Sequence, residues 1–225
     1  MNRYAPELAL VAGGLLGVVF GGFIFVSLGE FYSAAVVCVL LAYPFAAYAI
    51  HTDDEPTTVL PPRTVTVVAG LTAIGVVIDV LRLFETTVES LLIGLVLSLL
   101  VFLPVAAYAT RYGTPPTWLT PRRVETGGTL LAAGLLAGGL VGGAATSGAI
   151  SGVAVFVAAM LFAARSTGVS PRRRRLVPVA GMVAAAGLLA AGIIRGGPLD
   201  SWVVTALGAA FGPVLYIALV TSGRT

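Results

Sequence analysis

Long apolar stretches alternate with short polar segments along the whole chain. Each stretch is long enough to cross about 30 Å of hydrocarbon at about 1.5 Å per residue. The pattern therefore predicts eight transmembrane helices, over residues 8–28, 31–50, 65–84, 88–110, 126–145, 147–164, 176–194 and 202–221.

Composition agrees with this pattern and excludes a soluble domain. Hydrophobic residues make up 58% of the 225 positions and charged residues only 10%, and the mean hydropathy is +1.01. A soluble protein needs more polar surface than this. We predict an all-α integral membrane protein in which residues 1–225 form a single polytopic transmembrane domain, with no room for an extramembrane domain.

Proline and arginine recur at matching places along the chain. Pro44, Pro104 and Pro213 interrupt the second, fourth and eighth predicted helices, and Pro-Arg pairs precede the third, fifth and seventh. The marks predict four repeated helical hairpins, over residues 1–51, 64–111, 124–165 and 176–222. Each unit crosses the membrane twice, so all copies enter from the same side and are parallel repeats.

Arginines are distributed unevenly between the two ends of the predicted helices. All 13 basic residues are arginines. Eleven lie on the side of the chain termini and the three longer loops, and only Arg82 and Arg195 lie on the other. Because arginine is costly to translocate, the rich side should be cytoplasmic. We therefore predict a multi-pass protein of the cell membrane with both termini in the cytoplasm. Arg3 and Arg224 are the arginines nearest those termini.

Glycines at four-residue spacing line one face of two predicted helices. A face of nearly bare backbone lets two membrane helices approach closely. Helix packing is therefore predicted at Gly13, Gly17 and Gly21 in the first helix and at Gly134, Gly138 and Gly142 in the fifth.

Asp79 is an ionisable residue within the third predicted helix. A charge in hydrocarbon is costly and is a functional candidate by default. A structural interpretation is favoured here, because Asp79 lies near the outer end of the helix and Arg82 follows three residues later on the same face, where the two can pair.

Acidic residues also stand at the starts of the second, fourth and eighth predicted helices: Glu30, Glu89 and Asp200. One hypothesis is a weak cation site, since acidic rings attract cations to many pores. The alternative is helix capping, with Asp200 as an N-cap and Thr86 to Glu89 as a capping box. Capping is the favoured interpretation.

Clustered arginines on the predicted cytoplasmic side form the third candidate site: Arg122, Arg123, Arg172, Arg173, Arg174 and Arg175. Such a cluster attracts anionic lipid head groups or an acidic protein partner. Its simplest role is to set topology. The formal net charge is only +3, which gives no reason to expect nucleic-acid binding.

Catalytic residues are scarce. His51 is the only histidine and Cys38 the only cysteine, and Ser151 lies among glycines with no base nearby in the sequence. His51 with Asp53, Asp54 and Glu55 is a weak candidate for a divalent ion, because acidic loop residues are usually just solvated. We expect no enzymatic activity and no cofactor or metal site.

The leading functional hypothesis is a structural or partner-binding membrane subunit that acts through its cytoplasmic arginine-rich loops. Its partners would be membrane lipids and another membrane or cytoplasmic protein. The alternative is a small permease or channel for an ion or an apolar solute, for which the polar groups at mid-membrane are few: Thr72, Ser98, Ser151 and Thr205.

Overall fold

The computed structural model describes residues 4–53, 55–114, 117, 119–167, 170–196 and 198–222. Three residues named above, Arg3, Asp54 and Arg224, lie outside these ranges. Within them the chain forms α1 (Ala5–Leu28), α2 (Phe31–Thr52), α3 (Pro56–Val59), α4 (Pro62–Leu83), α5 (Val88–Tyr112), α6 (Pro121–Val141), α7 (Ala145–Thr167), α8 (Pro171–Arg195) and α9 (Leu199–Ser222).

Eight of these helices, all except the four-residue α3, are long and apolar enough to cross a membrane. The prediction of an all-helical, multi-span membrane protein is confirmed at this level. Large apolar side chains point outward, as expected of a lipid-facing surface: Val26 is 85% exposed and Val141 is 88% exposed. Many of the buried apolar residues are alanines, in keeping with helix packing through small residues.

Helices α6 and α8 begin five residues earlier than predicted, at Pro121 and Pro171. The hydroxyl groups of Thr120 and Ser170 accept hydrogen bonds from the backbone N–H groups of Arg123 and Arg173, at 3.4 and 3.3 Å. A hydroxyl N-cap followed by proline at the first helical position favours a helix start. The arginine clusters therefore lie in the first turns of two helices, and their assignment to loops was wrong.

The start of α5 is capped by a pair of residues other than the predicted Thr86 and Glu89. The backbone N–H of Ser90 donates to Thr87 Oγ1 at 3.2 Å, and the N–H of Thr87 donates to Ser90 Oγ at 3.0 Å. This reciprocal arrangement is a capping box shifted by one residue. Serine takes the place of the expected glutamate because Val88 is the first helical residue.

The chain divides into two compact units. The N-terminal unit comprises residues 1–85 and 97–115, and the C-terminal unit comprises residues 86–96 and 116–225. In the N-terminal unit α1 packs on α2, and α4 lies beside α2. In the C-terminal unit α6 packs on α7, α8 packs on α9, and α7 packs on α9. The fourfold hairpin repeat stays a prediction.

Backbones of α1 and α2 approach closely along a row of glycines. Gly13, Gly17 and Gly21 are buried. A Cβ atom at Gly17 would lie 2.7 Å from the carbonyl oxygen of Cys38, and one at Gly21 would lie 2.8 Å from that of Ala34. Any side chain at these positions would therefore push α1 away from α2.

Helix α6 uses a different row of glycines from the predicted one. A Cβ atom at Gly134 or Gly138 would meet no atom within 4 Å. Gly139 is the buried position, where a Cβ would lie 2.8 Å from the Cα of Gly148 in α7. Two adjacent glycine rows point about 100° apart on a helix, and spacing alone does not tell which one faces the neighbour.

Gly142 follows the last residue of α6. A Cβ atom there would lie 2.5 Å from Cγ1 of Val88. Its close contact is therefore with the start of α5 in the same unit, whereas the face shared with α7 is centred on Gly139.

Replacing Gly17 with alanine should destabilise the N-terminal unit by about 1–3 kcal/mol, because the new methyl group overpacks the contact with α2. The matched control is Gly14→Ala, which adds a methyl group in open space on the same helix. Detergent-solubilised variants can be compared by SDS-induced unfolding. Equal unfolding midpoints for the two variants would contradict the tight α1–α2 contact.

Candidate functional site

Asp79 in α4 is buried and acts as a cap for another helix. Its Oδ2 accepts a hydrogen bond of 2.9 Å from the backbone N–H of Tyr32, in the first turn of α2. No ion pair joins Asp79 to Arg82, so the predicted partner was wrong. The carboxylate satisfies an N–H that has no partner within its own helix and lies at the positive end of the α2 dipole. Its observed role is structural.

The three acidic residues predicted at the outer helix starts have different surroundings. Glu30 occupies the N-cap position of α2, and its Oε2 accepts a hydrogen bond of 2.7 Å from Ser33 Oγ. Glu89 and Asp200 are exposed in the first turns of α5 and α9, where a negative charge is favourable. Asp200 follows Leu199, so it is not itself an N-cap. The acidic ring stays a prediction.

Two of the four hydroxyl groups predicted at mid-membrane donate to carbonyl oxygens of their own helices. Thr72 donates to the carbonyl oxygen of Val68 at 2.9 Å, and Thr205 donates to that of Ser201 at 2.8 Å. Ser151 is fully buried, and its hydroxyl has no hydrogen-bond partner within the described ranges. No base contacts Ser151 to activate it as a nucleophile in that part of the chain.

The exposed His51 lies in the last turn of α2. Among the residues that the structure describes, no group of three or more histidine, cysteine, aspartate or glutamate side chains is arranged to hold a metal ion. The described part of the molecule therefore gives no positive evidence for metal chemistry.

A tyrosine compensates for the proline in α5. Pro104 has no N–H, so the carbonyl of Leu100 loses its usual helical partner. The hydroxyl of Tyr43 in α2 lies 3.1 Å from the oxygen of Leu100 and also donates to Val101. The sequence pattern marks Pro104 but gives no sign of the role of Tyr43, which directly precedes Pro44.

Pro213 in α9 meets a glycine. A Cβ atom at Gly181 in α8 would lie 2.7 Å from Pro213 Cγ and 2.9 Å from the carbonyl oxygen of Ala209, which is the carbonyl that Pro213 leaves without its N–H partner. Glycine thus allows α8 to lie directly on the interrupted turn. The prolines of α5 and α9 are in this way accommodated within the helix packing of their units.

An ion pair brings the two arginine clusters of the C-terminal unit to one end. Arg173 Nη1 in α8 lies 3.0 Å from Glu125 Oε2 in α6. Both residues lie near the starts of their helices. Arg122, Arg172 and Arg175 are exposed. Since a helix N-terminus already carries partial positive charge, arginines there add to a positive potential. We call this region, with Arg123 and Arg174, the arginine-rich end.

A crevice of about 340 Å³ lies beside this end. It separates α6 from α8, and α7 and α9 form its floor through residues such as Phe156 and Gly212. Ala133 of α6 and Ala180 and Ala184 of α8 are exposed along its walls. The crevice exists because the small side chains on the facing helices do not fill the gap between them. The sequence pattern did not predict it.

Polar atoms occur at one end of the crevice. Glu125 and Thr129 line it together with apolar residues. Thr129 donates its hydroxyl proton to the carbonyl oxygen of Glu125 at 2.7 Å, and Glu125 is paired with Arg173. The crevice is therefore apolar along its length, with a charged mouth at the arginine-rich end.

Replacing Asp79 with alanine should destabilise the N-terminal unit by about 1–3 kcal/mol, because the partly buried N–H of Tyr32 loses its acceptor. Asp79→Asn keeps an acceptor oxygen and should lose less. Unfolding midpoints in detergent measure both. If both variants unfolded like the wild type, a structural role for Asp79 would be excluded.

Comparison of the chain with protein-family models, with curated proteins and with solved structures gave no match. The function must therefore be argued from the residues themselves. The arginine-rich end and the crevice beside it combine charge, exposure and concavity in one unit of the protein.

Proposed function

We propose that the chain is a non-enzymatic subunit of a membrane assembly, which binds a partner protein through the arginine-rich end. The observation that carries this proposal is the Arg173–Glu125 ion pair, which places the starts of α6 and α8 together. Glu125 and Arg173 are 48 residues apart in sequence, and their pairing joins two arginine clusters into one cationic surface. An acidic protein surface is its natural complement.

Several polar groups that were candidates for chemistry are engaged within the helices, and this supports a non-enzymatic role. Asp79 is engaged with the backbone of α2, and the hydroxyl of Thr205 with its own helix. His51 is exposed at the end of α2. A nucleophile with an adjacent base is the usual mark of covalent catalysis. Ser33 donates its hydroxyl proton to the carboxylate of Glu30, but this contact joins residues three apart at the start of α2.

The arginine-rich end is proposed to face the cytoplasm, together with both termini, in a cell-membrane protein built from four repeated hairpins. The arginine bias between the two ends of the helices supports this orientation.

The alternative is a small permease or channel for an ion or an apolar solute. The crevice in the C-terminal unit is the observation in its favour. Its lining is apolar and includes neither Thr72 nor Ser98. A path for ions needs polar groups that replace the hydration shell. The crevice thus suits an apolar solute better than an ion.

Photo-crosslinking in the native membrane tests the partner-binding proposal. A photoreactive residue at position 172 should give a discrete crosslinked species, whereas one at position 200 should give none. Both sites are exposed, and they lie at opposite ends of the α8–α9 hairpin.

A second experiment places the photoreactive residue at position 123 and replaces Arg122, Arg172 and Arg175 with glutamine. The crosslinked fraction should fall by about tenfold or more, because each 1 kcal/mol of lost binding free energy weakens binding about fivefold. Equal crosslinking at positions 172 and 200 would contradict the proposal.

Cysteine labelling tests the orientation. In a Cys38→Ala background, Thr86→Cys should react with a membrane-impermeant maleimide on intact cells. Thr114→Cys should react only after permeabilisation. Both threonines are exposed in segments between helices. The reverse pattern, or labelling of both from outside, would overturn the predicted topology.

A further inference from the structure

We propose that the crevice of the C-terminal unit is a specific binding site for one anionic phospholipid, with an acyl chain between α6 and α8 and the phosphate at the arginine-rich end. This site does not depend on whether the chain has a protein partner. Its evidence is the depth of the crevice, its lining and the charge at its mouth.

The depth of the crevice suits one leaflet of a bilayer. Along α6 its lining runs from Glu125 to Leu136, which is about 16 Å at about 1.5 Å per residue. That is roughly half of the hydrocarbon thickness of about 30 Å. Along α8 the lining runs from Val177 to Ala184, over the first half of that helix. A lipid chain entering from the arginine-rich end would therefore reach mid-membrane.

The lining of the crevice suits an unbranched apolar chain. Its walls carry methyl groups at Ala133, Ala180 and Ala184, and its floor includes Phe156 and Gly212. The hydroxyl of Thr129 is already bonded to its own helix. No polar group along the walls has to lose a hydrogen-bond partner when the chain enters, so the lining accepts an acyl chain by shape, and the preference for one lipid must come from its head group.

The mouth of the crevice suits an anionic head group. Arg173 neutralises Glu125, the charged residue that lines the crevice. By helical periodicity, Arg122 lies on the face of α6 that carries Glu125 and Thr129. Arg174 lies on the face of α8 that carries Val177 and Gly181. These two arginines give the mouth an excess of positive charge. The Nε of Arg174 is buried and has no hydrogen-bond acceptor within the described ranges. Phosphate oxygens accept such donors readily.

The helix dipoles favour the same occupant. The first turns of α6 and α8 carry N–H groups without helical partners, and Thr120 and Ser170 each satisfy only one of them. Arginine side chains are unfavourable beside these positive helix ends, whereas a phosphate is favourable. A bound anion therefore relieves the repulsion within the arginine-rich end. Charge complementarity selects an anionic phospholipid over a neutral one.

Native mass spectrometry of the purified full-length chain tests this site. The probes are phosphatidylglycerol and phosphatidylcholine with identical acyl chains, added at equal concentration. We expect a one-to-one adduct that favours phosphatidylglycerol by about tenfold or more, given contributions of several arginines. Equal adducts with the two lipids would show non-specific lipid contact and overturn the proposal.

Two substitutions on α8 test the position of the acyl chain. Ala184→Phe places a ring in the crevice and should remove most of the phosphatidylglycerol adduct. Ala186→Phe is the matched control, because Ala186 is exposed on the same helix and does not line the crevice. Thermal unfolding in detergent verifies that both variants fold. If the two folded variants bound the lipid equally, the chain would not lie in the crevice.

Two further measurements separate the head group from other occupants. Arg122→Gln with Arg174→Gln should lower the preference for phosphatidylglycerol over phosphatidylcholine by several-fold, while the phosphatidylcholine adduct stays unchanged. Inorganic phosphate at the same concentration should not displace the lipid, because it lacks the acyl chain. If free phosphate displaced the lipid, the site would bind the head group alone. If an acidic peptide displaced the lipid and Ala184→Phe did not reduce the lipid adduct, the site would be a protein-binding surface instead.

Discussion

The hydrocarbon of a membrane contains no water to pair with an unpaired backbone N–H or C=O group. This constraint explains two of the hydrogen bonds between helices. Pro104 leaves a carbonyl without its N–H, and Tyr43 supplies a hydroxyl to it. The N–H of Tyr32 at the start of α2 receives the carboxylate of Asp79. Asp79, which looked like a candidate for transport or catalysis, is thus used to satisfy the backbone.

Packing follows from the same environment. Apolar side chains gain little by turning away from lipid, so large residues face outward and the closest helix approaches involve glycine. Gly17 and Gly21 bring α1 onto α2, and Gly139 brings α6 onto α7. Where α6 and α8 face each other with small residues but without close packing, the crevice is left. The crevice ends at Glu125, which pairs with Arg173 at the arginine-rich end, and this contact links the fold to both proposals.

Local patterns predicted the eight spanning helices, because length and hydropathy do not depend on distant partners. The starts of α6 and α8 were predicted five residues too late, although Thr120 and Ser170 each precede a proline and mark them. The partner of Asp79 could not be predicted from local sequence, because Tyr32 lies 47 residues away. Which glycine row of α6 is buried depends on how α7 lies against it. The crevice depends on the arrangement of four helices, and no single stretch of sequence encodes it.

Both proposals require that α6 and α8 begin side by side, so the most direct test is the proximity of Glu125 and Arg173. In a Cys38→Ala background, cysteines at positions 125 and 173 can be treated in native membranes with a short bifunctional thiol reagent. We expect rapid crosslinking within one chain, seen as a mobility shift that is absent for the control pair at positions 125 and 200. No intramolecular crosslink for the first pair, or equal crosslinking of both, would contradict the arrangement.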